Sequence, residues 1–192
     1  MSTKYIVDKE FENIDFAEKE VEAADYENCT FTNCNFSGTD LSGLNFEECR
    51  FITCDFSLSK ITNVAFRNIK FANCKLIGLQ FDECNPFLLE FQFEGCILNY
   101  SSFYKMRIKE TRFVKCILQE VDFNEADLSG AVFTKCDFSG AMFGRTNLEK
   151  ADFRTSSNFS IDPEQNRINK TKFSYDQLSG LLEKYNIDIS FE

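Results

Sequence analysis

Large apolar residues recur at every fifth position from Phe11 (Phe11, Phe16, Val21, Tyr26, Phe31, Phe36, Leu41) and onward without exception to Phe81. The next step lands on Pro86 and fails. The pattern resumes two residues out of step at Phe93 and runs through Phe103, Phe113, Phe123 and Phe133 to Phe153. Two positions before each large residue stands a mostly small one: Ala24, Cys29, Cys34, Thr39, Cys49, Cys54, and later Cys96, Ser101, Cys116, Ala126, Ala131 and Cys136. The positions between are polar. A period of five fits neither a helix at 3.6 residues per turn nor a strand at 2. One small and one large inward residue in each five describe one side of a coil. Four sides close a circuit of about 20 residues, and successive circuits stack at the strand spacing of about 4.8 Å. This predicts an all-β fold: a parallel β-helix with phenylalanine along its interior.

The segments Ala126-Asp-Leu-Ser-Gly130, Cys136-Asp-Phe-Ser-Gly140 and Ala151-Asp-Phe-Arg-Thr155 resemble the motif of the pentapeptide-repeat family, Ala-Asp/Asn-Leu/Phe-X-X. The resemblance covers about residues 9–155 and implies a right-handed quadrilateral parallel β-helix, a solenoid. It extends to the Qnr-like and microcin-immunity-like quinolone-resistance branch through the mid-chain break and the segment Ser160–Ile168. The long projecting loops of Qnr-like proteins are missing. The expected divisions are a β-helix over 1–155 with its phase break at 82–92, a turn and partial final coil over 156–173 that takes in Ile168 and Phe173, and a C-terminal segment over 174–192.

That last segment reads as a capping or dimerisation α-helix. Ser174 and Gln177 form a capping box, and Phe173 with Leu178 a hydrophobic staple. Leu178, Leu181, Leu182 and Tyr185 then share one face. Gly180 is a weak helix former. Ile187, Ile189 and Phe191 alternate with polar residues as a short strand would. Capping the open end of a solenoid is the simplest use of these residues. The Qnr-like resemblance implies in addition a homodimer through Leu178, Leu181, Leu182, Tyr185, Ile187 and Ile189.

The break itself centres on Pro86 and Phe87. Proline cannot donate to a ladder, so an irregular corner is expected there, with an Asn85–Pro86 bond of either isomer. The corner is either a bulge that bends the axis or a binding surface.

Composition narrows the chemistry. The chain of 192 residues contains 23 Phe, 9 Cys, no Trp and no His. Without histidine, Ser-His, Cys-His and His-metal schemes are excluded. Every cysteine occupies the small inward position, where a free thiol serves as a compact apolar side chain. Stacked cysteines fall within disulfide reach, but a reducing compartment and parallel side-chain directions favour free thiols. Asp122, Glu125 and Asp127 are neighbours, but as outward solvated carboxylates they do not make a catalytic pair. No catalytic, metal or cofactor residue is assigned, and an enzyme is not expected. No signal-peptide core or membrane-length apolar run occurs, so a cytoplasmic location without membrane contact is expected.

The formal net charge is −10, which argues against direct nucleic-acid binding. The charge is concentrated: residues 1–50 carry net −8, and residues 101–150 net +1. Glu10, Glu12, Asp15, Glu18, Glu20, Glu22, Asp25 and Glu27 crowd the first coil. They serve as edge protection or as a partner-binding surface. The family resemblance implies the latter: a slender acidic rod that imitates DNA and protects a type II topoisomerase, DNA gyrase or topoisomerase IV, from quinolone or microcin-type poisons. The alternative is an interaction scaffold with a different protein partner.

Overall fold

The computed structural model describes residues 4–190. Short strands form on successive coils: β1 (Lys4–Val7), β2 (Glu10–Glu12), β3 (Ala24–Glu27), β4 (Thr30–Thr32), β5 (Asn45–Glu47), β6 (Arg50–Ile52), β7 (Ala65–Arg67), β8 (Ile69–Ala72), β9 (Phe91–Glu94), β10 (Arg112–Val114) and β11 (Val132–Thr134). All pair in parallel with the equivalent strand one coil away, Phe31 opposite Phe51 and Phe51 opposite Phe71. One face is a seven-stranded sheet in the order β2-β4-β6-β8-β9-β10-β11, and another a four-stranded sheet β1-β3-β5-β7. The remaining faces are held by single parallel bridges such as Asn35–Asp55 and Ser102–Asp122. The result is a four-sided parallel solenoid of about seven turns.

Local chemistry makes each corner. The polar residue just before the large one is often Asp or Asn. Its carboxylate or amide oxygen accepts the N–H two residues on, as Asp55 does from Ser57 at 2.9 Å and Asp127 from Ser129 at 3.1 Å. This is the local turn these side chains favour. Two residues after the large one, the backbone enters the left-handed region, at Asn28, Asn33, Asn63, Asn73, Gly38 and Gly130 among others. Asn and Gly tolerate that conformation best, which accounts for their recurrence in this column.

Inside, the rings form columns. Phe11, Phe31, Phe51, Phe71, Phe93, Phe113, Phe133, Phe153 and Phe173 stack with centroids 4.6–5.7 Å apart. Rings on adjacent sides meet edge to face, as Phe51 and Phe56 do at 5.0 Å. Both arrangements suit the aromatic quadrupole. The small inward residue has a polar task too. Its thiol or hydroxyl donates to the carbonyl of the large residue one coil back: Cys54 to Phe31 at 3.4 Å, Ser59 to Phe36 at 2.7 Å, Thr146 to Phe123 at 2.8 Å. All nine cysteines are free and buried. Burial pushes the Cys49 thiol up to about 12. Contacts with the thiols above and below, together with burial, push Cys74 and Cys116 up as well.

The C-terminal segment differs from expectation. It is not an α-helix but two 3₁₀ turns, Tyr175–Leu181 and Glu183–Tyr185. Ser174 is extended, with no side-chain capping bond. Residues 186–190 form no strand, and Phe191 lies outside the described residues. Docking decides this. Gly180 presses against Phe159, whose ring and carbonyl leave no room for a Cβ, and its carbonyl accepts the Ile161 N–H at 2.9 Å. Lys184 ties the second turn to Asp162 and Glu164, each at 2.7 Å. Beneath these turns Phe173 stacks on Phe153, and Arg167 and Lys172 continue the ladders of Asn147 and Asp152.

Candidate interaction surfaces

The eight N-terminal carboxylates are distributed around all four sides of the first coil, so they form a collar and not a single face. Glu10, Glu12, Glu18, Glu20, Glu22 and Glu27 are exposed, while Asp15 and Asp25 are half-buried. Asp15 accepts from the Ala17 N–H and from the Asn35 amide, both at 3.0 Å. Asp25 accepts from Asn45. These two therefore hold corners and ladders, and the exposed glutamates carry the accessible charge. Glu27 stacks directly on Glu47 of the next coil, which extends the acidic column by one step until Arg67 meets Glu47 at 3.5 Å.

Further along the rod, charges in ladder positions are mostly paired across one coil. Lys60 meets Asp40 at 3.1 Å, Lys75 meets Asp55 at 3.4 Å, and Arg145 meets Glu125 at 2.7 Å. Hydrogen bonds from Ser42, with Lys60 beside it, lower the Asp40 carboxyl to about 2. Glu125 is half-buried between Arg145 and Lys105 and pairs with both. Among the described residues, no group of three or more His, Cys, Asp or Glu side chains could hold a metal ion, and no helix is long and apolar enough to cross a membrane.

At the break, the Asn85–Pro86 bond is trans. Asn85 still pairs with Ala65, but β8 pairs with β9 at a separation of 22 residues, Ile69 opposite Phe91. The two extra residues are absorbed between Asn85 and Phe91. Phe87 and Leu88 are thereby turned out to solvent, 65% and 66% exposed, while Phe91 fills the interior beside Phe66. The Arg67 guanidinium lies over the Phe87 ring at 5.9 Å.

The C-terminal residues expected to share one apolar face divide. Leu181 packs against the core. Leu178, Leu182, Tyr185, Ile187 and Ile189 are exposed, with Tyr175 at 77% beside them.

A basic row escaped a reading by charge per segment, because each segment also contains acids. Arg50, Lys70 and Arg112 occupy one ladder position on the seven-stranded face, with Gln92 between the last two. Their spacing of 20, 22 and 20 residues was the signal in the sequence.

Taken together, the parallel ladders, the phenylalanine columns and the turn-forming Asp/Asn corners define a β-solenoid built from five-residue units. The sequence profile described as "Pentapeptide repeat region" matches residues 6–81 and 87–158, on either side of Pro86, and the chain belongs to that family. No curated protein is significantly similar to it. Similar solved structures include HetL from the cyanobacterium Nostoc sp. strain PCC 7120, a pentapeptide repeat protein involved in heterocyst differentiation regulation. HetL is 15% identical with a TM-score of 0.64, over 89% of this chain and 86% of that one. A trypsin-treated form of QnrB1, a plasmid-mediated fluoroquinolone resistance protein, is 23% identical with a TM-score of 0.49, over 98% of both chains.

Proposed function

We propose that this protein is a non-enzymatic binding solenoid whose acidic N-terminal end docks on a basic, DNA-binding protein, a type II topoisomerase such as DNA gyrase being the specific candidate. The collar of exposed glutamates at one end of a slender rod supports this reading. Apart from Glu22, which pairs with Lys4, these exposed glutamates have no ion-pair partner among the described residues, in contrast to Asp40, Asp55 and Glu125 further along the rod. Protection of the enzyme from quinolone or microcin-type poisons would follow from competition with DNA. In a supercoiling assay with gyrase and a quinolone, the protein is expected to inhibit or rescue at micromolar concentration, and reversing Glu18, Glu20 and Glu22 to Lys is expected to abolish the effect. Absence of both inhibition and rescue would remove the reading.

The exposed apolar residues Leu178, Leu182, Ile187 and Ile189 support a homodimer through the C-terminal turns. Sedimentation of a 22 kDa monomer at tens of micromolar would reject it. The basic row Arg50–Lys70–Arg112 favours a second reading, an interaction scaffold with a different protein partner, because positive charge at mid-rod does not imitate duplex DNA.

A further inference from the structure

The phase break opens one face of the solenoid. The four-stranded sheet ends with β7 and its bridge to Asn85, and the same face restarts only at Arg107, which pairs forward with Asp127. In neighbouring coils the equivalent backbone donors reach back one level: Ala65 N–H to Leu44 at 2.9 Å and Asp127 N–H to Met106 at 2.8 Å. Among the described residues, the Arg107 N–H has no such backbone partner, and neither does the Leu88 N–H, nor the carbonyls of Cys84 and Lys109. Pro86 has no N–H to offer at the intervening position. An unpaired row of this kind is a template for another strand.

The edge lies in a cleft of about 860 Å³ lined by Leu88 and Leu89, by Arg67, Arg107, Lys109 and Arg112, and by the carboxylates Glu47, Glu90 and Glu110. Arg67 is held by Glu47 and Lys109 by Asp127, which leaves Arg107 and Arg112 as its unpaired cations. Arg112 also begins the basic row that continues through Lys70 to Arg50. None of Arg50, Lys70, Arg107 and Arg112 has an ion-pair partner among the described residues, and all four are exposed. Arg50 and Lys70 stand directly opposite each other in the ladder, an arrangement that destabilises a sheet. In a protein of net charge −10, these four unpaired cations stand near an open backbone edge and two exposed apolar side chains, Phe87 and Leu88.

We propose that the cleft, with Arg112 at the near end of the basic row, binds an extended, acidic peptide segment of a partner protein. The segment pairs its backbone with the open edge at Leu88 and Arg107, sets an apolar residue on Leu88 and Phe87, and carries carboxylates to Arg107 and Arg112. The row from Arg50 to Arg112 spans three coil steps, about 14 Å at the strand spacing, and crosses the strand direction, so a segment paired with the edge meets it at the Arg112 end. The assignment rests on no part of the topoisomerase reading, which concerns the opposite charge at the N-terminal end of the rod.

The test uses the full chain and a fluorescein-labelled, terminally blocked peptide of alternating valine with aspartate or glutamate, read by fluorescence anisotropy. Saturable binding is expected, weakening at least tenfold between low and 0.5 M salt. It should also weaken at least tenfold when the peptide backbone is N-methylated, and in the double variant Arg107→Glu/Arg112→Glu. Far-UV circular dichroism is the control for folding of the variant, and the milder Arg112→Gln should lose affinity in the same direction. No saturable binding, or equal binding by a lysine-for-acid peptide, would overturn the proposal. So would preferential binding of single-stranded oligothymidylate through the same arginines. Self-association of the protein abolished by the same double variant would assign the cleft to a second copy instead, and would also overturn it.

Discussion

Replacing Phe113 with alanine tests whether the ring columns hold the solenoid together. Phe113 is fully buried. It is stacked between Phe93 at 4.9 Å and Phe133 at 5.0 Å, and meets Phe103 and Phe123 edge-on at 6.1 and 6.3 Å. Truncating a buried Phe to Ala costs about 3–5 kcal/mol. The upper end applies here, because two stacked pairs are lost, each contributing about 0.5–1.5 kcal/mol beyond area. For a chain of this size each kcal/mol moves Tm by about 2–4 °C, so a loss of about 5 kcal/mol lowers Tm by about 10–20 °C. Far-UV circular dichroism during heating and urea titration provides the measurement. Phe113→Leu keeps most of the apolar volume and should cost about 1–2 kcal/mol. Phe11 is half-buried at the rod end with one stacked neighbour, Phe31, so Phe11→Ala should cost no more than half as much as Phe113→Ala. If Phe113→Ala lies within about 1.5 kcal/mol of the parent, or Phe113→Leu is as damaging as alanine, the columns do not carry the stability assigned to them.

Three further outcomes are expected. Ellman's reagent should find nine thiols in fresh, denatured protein and react slowly with the native form, whose nine cysteines are buried; a lower count in denaturant would mean bridged pairs. Gly180→Ala should undock the C-terminal turns, because its Cβ would strike the Phe159 ring and carbonyl; the readouts are faster proteolysis over 174–190 and a lower Tm, and an unchanged cleavage pattern would contradict the packing. Partial burial of Asp137 raises its pKa, but hydrogen bonds from Asn158, Gln119 and Ser139 outweigh this and hold the carboxyl at about 2. Its contribution is therefore complete above the ordinary carboxylate pKa near 4 and is lost as pH falls toward 2; Asp137→Asn should flatten stability between pH 4 and 2, and an unaltered acid transition would refute it.

The repeat was legible in the sequence because every inward position obeys one spacing, and a parallel ladder preserves that spacing as contact. Phe31, Phe51 and Phe71 are 20 residues apart and touch. The thiol role was only half legible: small size shows in the letters Cys, Ser, Thr and Ala, but the bond from Cys54 to the Phe31 carbonyl needs the coil closed. The C-terminal segment was misread because capping residues and apolar spacing report what a free helix would choose. Contact with Phe159 and the Lys184 ion pairs selected tighter turns. The basic row and the open edge were hidden for a related reason. Each arises from residues about 20 apart meeting across the break, and neither leaves a local motif.

The two-residue insertion at Pro86 has a further consequence. Phe71 still stacks on Phe93 at 5.5 Å and Phe81 on Phe103 at 4.7 Å, so the coils above and below remain aligned although the residue count between them has changed. The solenoid behaves as a crystal with a confined dislocation: the slip is taken up at one corner, and lattice order resumes beyond it. Chain length is thus decoupled from alignment at residues 85–91, which makes that corner the place where a graft, a tag or a longer evolved loop can be added at least structural cost.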